Sequence, residues 1–315
     1  MITTVTLNPA VDKTVTVPRF AVGEVNRIAT VRLDAGGKGL NVARVLHRLG
    51  SPVRAVAPVA GGAGRFLVER MAQEGIPFDS LEVAGESRTN LKVVDPELGT
   101  HTDINEPGPG LTPADLDQVG RKVLDALKPG DWVVFSGSVP AGVPRDIYAL
   151  WMAEARSRGA RTALDADGEL LVRGLAGRPD LVKPNRSELE AWAGFPVRTD
   201  ADLFEAVRRL RKAGADTVAV SLGSGGAWLF CGEGAWFAPG LRVSAQSTVG
   251  AGDALVAALT AGLAVGADPS SILAKAVATA TASVVRPGTG AGDPQDIAKF
   301  LAQVAVQPSF PWRKP

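Results

Sequence analysis

The sequence lacks several residue types that would place it in particular functional classes. Its 315 residues include one cysteine, Cys231, so no intramolecular disulfide forms, and with only His47 and His101 there is no Cys/His set for zinc. Cys231 reads as a small hydrophobe. Aromatic residues make up 5% of the chain, and 34 basic residues nearly balance 33 acidic ones for a formal charge of +1. That balance supplies no global field for nucleic acid or for an anionic membrane. No apolar run reaches the roughly 18 residues of a membrane span, and the N-terminus has no basic-then-apolar layout. The expectation is a cytoplasmic protein without nucleic-acid or membrane partners.

What is present is a core and many turns. Hydrophobic residues reach 45% and charged residues 21%, which excludes disorder as the main state. The 36 glycines and 22 prolines exceed average usage of about 7% and 5%. Short β-rich runs at 2–7, 54–59, 132–135, 161–164, 181–182 and 217–222 alternate with helical stripes. One stripe is Val42, Val45, Leu46 and Leu49; another is Leu116, Val119, Val123 and Leu127, opened by Thr112 as N-cap with Pro113 and Asp115 behind it. This alternation predicts an α/β fold of three layers with a mainly parallel sheet. Segments 14–34 and 88–105 break the rhythm, and they are expected to form a small antiparallel β lid inserted as two excursions into a single domain spanning 1–306. Its free edges predict a homodimer through the lid. Residues 307–315, with three prolines, are expected to be a loosely held tail.

The richest segment is Ser247-Thr248-Val249-Gly250-Ala251-Gly252-Asp253-Ala254, followed by the apolar helical pattern Leu255, Ala258, Leu259 and Leu263. Small residues before a helix let backbone amides point at an anion, where the helix dipole favours negative charge. A phosphoryl group fits that nest. Asp253 would repel the phosphate as a mere ligand, and a general base for an attacking hydroxyl explains its position. The simpler alternative is an ordinary helix start with an acidic first turn.

Asp34-Ala35-Gly36-Gly37-Lys38-Gly39-Leu40-Asn41 also feeds a helix. It is neither a P-loop nor a dinucleotide fingerprint, and its glycines, lysine and asparagine suit a sugar phosphate as well as a structural turn. Asn8-Pro9-Ala10-Val11-Asp12 is expected to end the first strand, with Asp12 accepting from sugar hydroxyls or stabilising a turn. Arg88 and Arg27 lie in the lid segments, where a guanidinium clamps a phosphate or simply stands exposed. Lys183-Pro184-Asn185-Arg186-Ser187-Glu188 admits two accounts. Asn185 and Glu188 hold hydrated Mg²⁺, or they form an asparagine-led capping box. Ser221-Leu222-Gly223-Ser224-Gly225-Gly226-Ala227 suits a loop under a nucleotide. Ser136-Gly137-Ser138 and Asp165 are further polar strand ends, and their number favours one cleft along the sheet's carboxyl edge.

These pieces, in this order, resemble the ribokinase-like PfkB family of carbohydrate kinases over essentially residues 1–306. The resemblance rests on the opening Thr6 to Asp12 segment, the Gly36-Gly37-Lys38-Gly39-Leu40-Asn41 run, Lys183-Pro184-Asn185 with Glu188, and Val249-Gly250-Ala251-Gly252-Asp253. It implies a ribokinase-like α/β/α core and points to the branch acting on sugar phosphates. Arg88-Thr89-Asn90-Leu91-Lys92-Val93, Thr102-Asp103-Ile104-Asn105 and the 181–194 segment are most similar to members that phosphorylate fructose 1-phosphate at its C6 hydroxyl. Tagatose 6-phosphate and fructose 6-phosphate are the alternative acceptors. A non-catalytic sugar-phosphate sensor is the distant one, and its mark, loss of Asp253 or its glycines, is missing. By the same resemblance, Asp253 is the catalytic base and Gly250, Ala251 and Gly252 form the anion hole. Asp12, Gly37, Lys38, Asn41, Arg88 and Arg27 bind the sugar phosphate. Lys183, Ser221, Gly223, Ser224 and Gly226 bind ATP, and Asn185 with Glu188 organises Mg²⁺ through water. Asp165-Ala166-Asp167-Gly168 departs from the Asp-x-Ser-Gly of some relatives, so only Asp165 carries over.

Overall fold

The alternating runs produce three layers in the computed structural model, which describes residues 1–232, 234–286, 288 and 291–309. The chain opens with β1 (Ile2–Val5), β2 (Ala10–Thr16) and β3 (Thr30–Gly36), then α1 (Lys38–Arg48), β4 (Val53–Val59), α2 (Gly61–Gln73) and β5 (Phe78–Glu82). It continues through β6 (Arg88–Asp95), β7 (Thr100–Asn105), α3 (Pro113–Leu124), β8 (Trp132–Ser136), α4 (Ile147–Ser157), β9 (Arg161–Asp165), α5 (Gly168–Gly174) and β10 (Leu181–Val182). The last third holds α6 (Arg186–Ala193), α7 (Asp200–Lys212), β11 (Thr217–Ser221), β12 (Ala227–Cys231), β13 (Gly234–Ala238), α8 (Ala251–Ala264), α9 (Pro269–Val284), α10 (Pro294–Leu301) and β14 (Gln307–Ser309).

Ten strands form the central sheet in the order β14-β13-β12-β11-β10-β9-β8-β1-β4-β5. From β5 to β11 every pairing is parallel, and β12, β13 and β14 extend the sheet antiparallel. Alternation along β8 shows how both faces are filled: Val133 and Phe135 join the core under α3 to α7, while Trp132 and Val134 join the core under α1, α2, α8 and α9. Helix α10 packs on α9 through Ile297 and Phe300. Helix α3 starts as its sequence requires, since Thr112 Oγ1 accepts from the Asp115 amide at 3.1 Å and Asp115 accepts from the Thr112 amide at 2.9 Å.

All six expected strands form, with ends shifted by no more than two residues. Four were missed. Strands β12 and β13 carry unbroken apolar runs around Trp228 and Trp236, which give no alternation to read. β5 is a half-buried edge strand. The tail expected from residue 307 onward is not loose at its start, because 307–309 pair with β13 as β14; the part from 310 lies outside the described residues.

The second sheet has the order β3-β2-β6-β7. It consists of two antiparallel hairpins joined by a parallel β2–β6 pair, so both excursions meet in one lid. The lid begins at Ala10, earlier than residue 14, because Asn8-Pro9 ends β1 and Ala10 already pairs with Gly36 and Arg88. Asp12 therefore lies inside a lid strand and not at the end of the first strand. The period of two gives the lid two unlike faces. One carries Asp12, Asn90, Asn105 and Lys92; the other carries Leu33, Leu91, Val15, Val93 and Ile104.

Candidate active site

Parallel strands align their carboxyl ends, and the strand order reverses between β1 and β8, which is where open α/β sheets bind ligands. A cavity of about 230 Å³ occupies that point. Its floor is Thr6 and Asn8 beyond β1 with Ser136, Gly137 and Ser138 at the end of β8, and its roof is Arg88, Asn90 and Asn105 from the lid. Lys38 and Asp167 complete the wall. The buried Thr6 Oγ1, Asn8 Oδ1 and Ser136 Oγ have no hydrogen-bond partner among the described residues, so the lining suits a ligand rich in hydroxyls.

Beside the cavity, the sheet edge gathers buried charge. Asp165, at the end of β9 and 1% exposed, ion-pairs with Lys183 at 3.3 Å and Lys38 at 3.6 Å. Burial pushes the Asp165 carboxyl up, but Lys183 and Lys38 outweigh it and the net shift is down, so Asp165 stays ionised. Lys38 opens α1 and is held charged chiefly by Asp165. Asp253 sits in the first turn of α8, 7% exposed, and its Oδ2 accepts from Asn41 Nδ2 at 2.8 Å. Burial first, then repulsion from Asp165, raises its pKa to about 6, a value that suits a general base near neutral pH.

Local sequence explains these positions. The N-cap of α8 is Gly250, whose φ of +84° is a left-handed conformation that glycine adopts without penalty. Among the described residues no side chain caps α8 or α1, which leaves the first amides of both helices available to an anion. The Lys183 amine lies 3.6 Å from where a Cβ on Gly252 would stand, so a cation borders the nest of Gly250, Ala251 and Gly252. Gly36 is required by close approach, since a Cβ there would strike the Asp12 carboxylate.

The residues assigned to a sugar phosphate are not all brought together. Lys38 and Arg88 line the cavity, and Arg88 is oriented by donating from Nε to the Asn8 carbonyl at 3.1 Å. Asp12 stands one layer back, its Oδ1 accepting from Asn90 at 3.0 Å, with burial raising its pKa. Gly37 is the N-cap of α1, and Asn41 contacts Asp253. Arg27 is exposed in the connection between β2 and β3 and does not line the cavity. Ser221 ends β11 and bridges to Asn185, while Gly223 and Ser224 lie exposed in a 3₁₀ turn before Gly226. Sequence reading missed Asn105 and Asp167 as lining residues and the central place of Asp165. The only available signal was their position at strand ends.

Asn185 and Glu188 form the capping box: the Glu188 amide donates to Asn185 Oδ1 at 2.8 Å and the Asn185 amide to Glu188 Oε2 at 2.9 Å. Among the described residues no three His, Cys, Asp or Glu side chains gather as metal ligands. Both side chains offer oxygen donors of the kind a hydrated Mg²⁺ takes, and the Glu188 charge reaches Lys38.

The model of the pfkB family carbohydrate kinases matches residues 5–296. The chain belongs to that family. It is a phosphotransferase with an alcohol acceptor. The kinase is 41% identical over 307 residues to a 1-phosphofructokinase of Rhodobacter capsulatus, covering 97% of each chain. It is 38% identical over 308 residues to a 1-phosphofructokinase of Escherichia coli, covering 98% of each. Among solved structures it superposes on phosphofructokinase-2 of Escherichia coli in complex with substrates and products, with a TM-score of 0.91 at 32% identity, covering 96% of this chain and 98% of that one. The latter protein has also been solved with fructose-6-phosphate. Among the described residues no helix is long and apolar enough to cross a membrane.

Proposed function

We propose that this kinase transfers the γ-phosphoryl group of ATP to the C6 hydroxyl of fructose 1-phosphate, giving fructose 1,6-bisphosphate and ADP. The carrying observation is the buried Asp253 carboxylate, held by Asn41 at the uncapped N-terminus of α8, next to a polar cavity bearing Lys38 and Arg88. The choice of sugar follows the relatives at 38% and 41% identity, both 1-phosphofructokinases.

In this mechanism Asp253 takes the proton from the C6 hydroxyl as its oxygen attacks the γ-phosphorus. The bond to the β–γ bridging oxygen breaks and ADP leaves. Amides of Gly250, Ala251 and Gly252, with Lys183 beside them, stabilise charge that develops on the transferred group. Lys38 and Arg88 hold the sugar phosphate, Asp12 fixes Asn90 in the roof, and Ser221, Gly223, Ser224 and Gly226 border the nucleotide. Mg²⁺, when bound near Glu188, supplies neutralising charge to the ATP phosphates. The lid excludes water, which competes as acceptor. Replacing Asp253 by Asn keeps the shape and removes the base, so kcat is expected to fall by about 10²–10⁴. Wild-type turnover in D253N would refute the mechanism.

A second acceptor, fructose 6-phosphate, is favoured by the complex of the phosphofructokinase-2 neighbour with that sugar. It places the phosphate at the other end of the substrate, and tagatose 6-phosphate would do the same.

The lid's outer face supports a homodimer. Val31, Leu33 and Ile104 are 55%, 39% and 52% exposed on one face of the lid, beside the Val15 and Val93 cluster that Phe20 already covers. A second copy of the chain covers this stripe in our reading. Sedimentation of L33D/I104D is expected to show a monomer where the wild type sediments as a dimer, and a wild-type monomer would refute it.

A further inference from the structure

Asn41 is the only hydrogen-bond partner recorded for the Asp253 carboxylate among the described side chains, so the orientation of its amide decides what Asp253 meets. An asparagine presents an N–H on one side and a carbonyl on the other, and its neighbours choose between the two. Here the neighbour is Arg44, one turn further along α1 and 7% exposed. Its Nη1 donates to Asn41 Oδ1 at 3.0 Å. A guanidinium has donors only, so the face of the amide toward Arg44 must be the carbonyl and the face toward Asp253 must be the N–H.

Arg44 is itself fixed at two other points. Its Nε donates to Glu74 Oε2 at the end of α2, and its Nη2 donates to the Ala35 carbonyl at 3.2 Å, where β3 of the lid runs into α1. Three acceptors on three segments leave the guanidinium plane no freedom to turn. None of these contacts touches the cavity.

We propose that Arg44 is a positioning residue of the phosphoryl transfer: it locks the Asn41 amide so that an N–H, and never a carbonyl, faces Asp253. The inference rests on the reading of Asp253 as the base. A donor facing the carboxylate favours its ionised form, the form that accepts a proton. With the lock removed, the amide is free to turn its carbonyl toward a protonated Asp253, which favours the inactive form. The other charged groups facing Asp253 are Lys38 from α1, Asp165 from β9 and Lys183 beyond β10, and none of them changes when Arg44 is replaced.

The test is the pH dependence of kcat/KM for wild type, R44M and R44K with ATP and one sugar phosphate. The substrate phosphate titrates in the same range in every variant, so differences between variants report the enzyme. R44M, which cannot donate, is expected to move the acid limb upward by about one pH unit, and R44K, which only donates, to return it most of the way. E74Q, which loosens Arg44 from outside the site, is expected to give a smaller shift in the same direction, and it serves if R44M does not fold. A uniform loss of kcat with an unmoved limb in R44M and E74Q would overturn the proposal, as would equal shifts in R44M and R44K. Either result leaves the role of Asp253 standing, whereas wild-type turnover in D253N removes that role and not the geometry of Arg44.

Discussion

The floor of the cleft and its lid handle charge in opposite ways. On the floor, Asp165, Lys183 and Asp253 are each less than a tenth exposed, and each is held by a partner from a different strand or helix. In the lid, Asp12, Arg88 and Asn90 are half-buried on a thin sheet whose other face leaves Val31, Leu33 and Ile104 exposed. Low dielectric strengthens every interaction on the floor and makes every unpaired group there costly. Burial also raises the Asp12 pKa, but these half-exposed lid groups keep partial contact with water and cost less to hold than the groups on the floor. A base that must be held rigidly belongs on the floor, and recognition that must open and close belongs in the lid.

Three substitutions sharpen this contrast. The largest effect on stability is expected from D165N, which leaves the Lys183 charge buried without its partner; a loss of about 3 kcal/mol is anticipated, read as a lowered thermal midpoint. A midpoint within a degree of wild type would mean the floor does not depend on that pair. R88A removes a lid cation and is expected to raise the KM for the sugar phosphate about 10–100-fold while kcat stays within a few-fold. An equal fall in kcat would move Arg88 from recognition to chemistry.

The smallest effect is a gain. Burial raises the Asp253 pKa to about 6, so the folded protein holds that proton more tightly than the unfolded chain does. The stability due to this group is present at pH below about 4 and is lost as pH rises through 6. D253N escapes that loss. Its thermal midpoint is expected to exceed that of the wild type by a few degrees at pH 8, with the difference vanishing near pH 4. A D253N protein less stable than wild type at pH 8 would contradict the burial argument.

The two regions also differed in how far the sequence revealed them. Strands under the floor were legible because their short apolar runs are flanked by turns and alternate with helical stripes, and the glycines before Asp253 announced an anion site at a helix start. The trio of Asp165, Lys38 and Lys183 was not legible, since it joins three segments whose meeting depends on strand order. The lid's two hairpins were visible as interruptions, but their parallel joint at β2 and β6 and the inclusion of Asp12 within it were not. Arg27 had the same residue type as Arg88 and a similar setting in sequence, yet only Arg88 reaches the cavity. For Asn185 and Glu188 the sequence offered two roles, and the geometry shows the capping box formed.

The central claim concerns an acceptor, and steady-state phosphorylation with ATP and Mg²⁺ tests it directly. Wild-type enzyme is expected to give the highest kcat/KM with fructose 1-phosphate among that sugar, fructose 6-phosphate and tagatose 6-phosphate, with fructose 1,6-bisphosphate as product. A clear preference for either 6-phosphate, or no transfer to any of the three, would contradict the account.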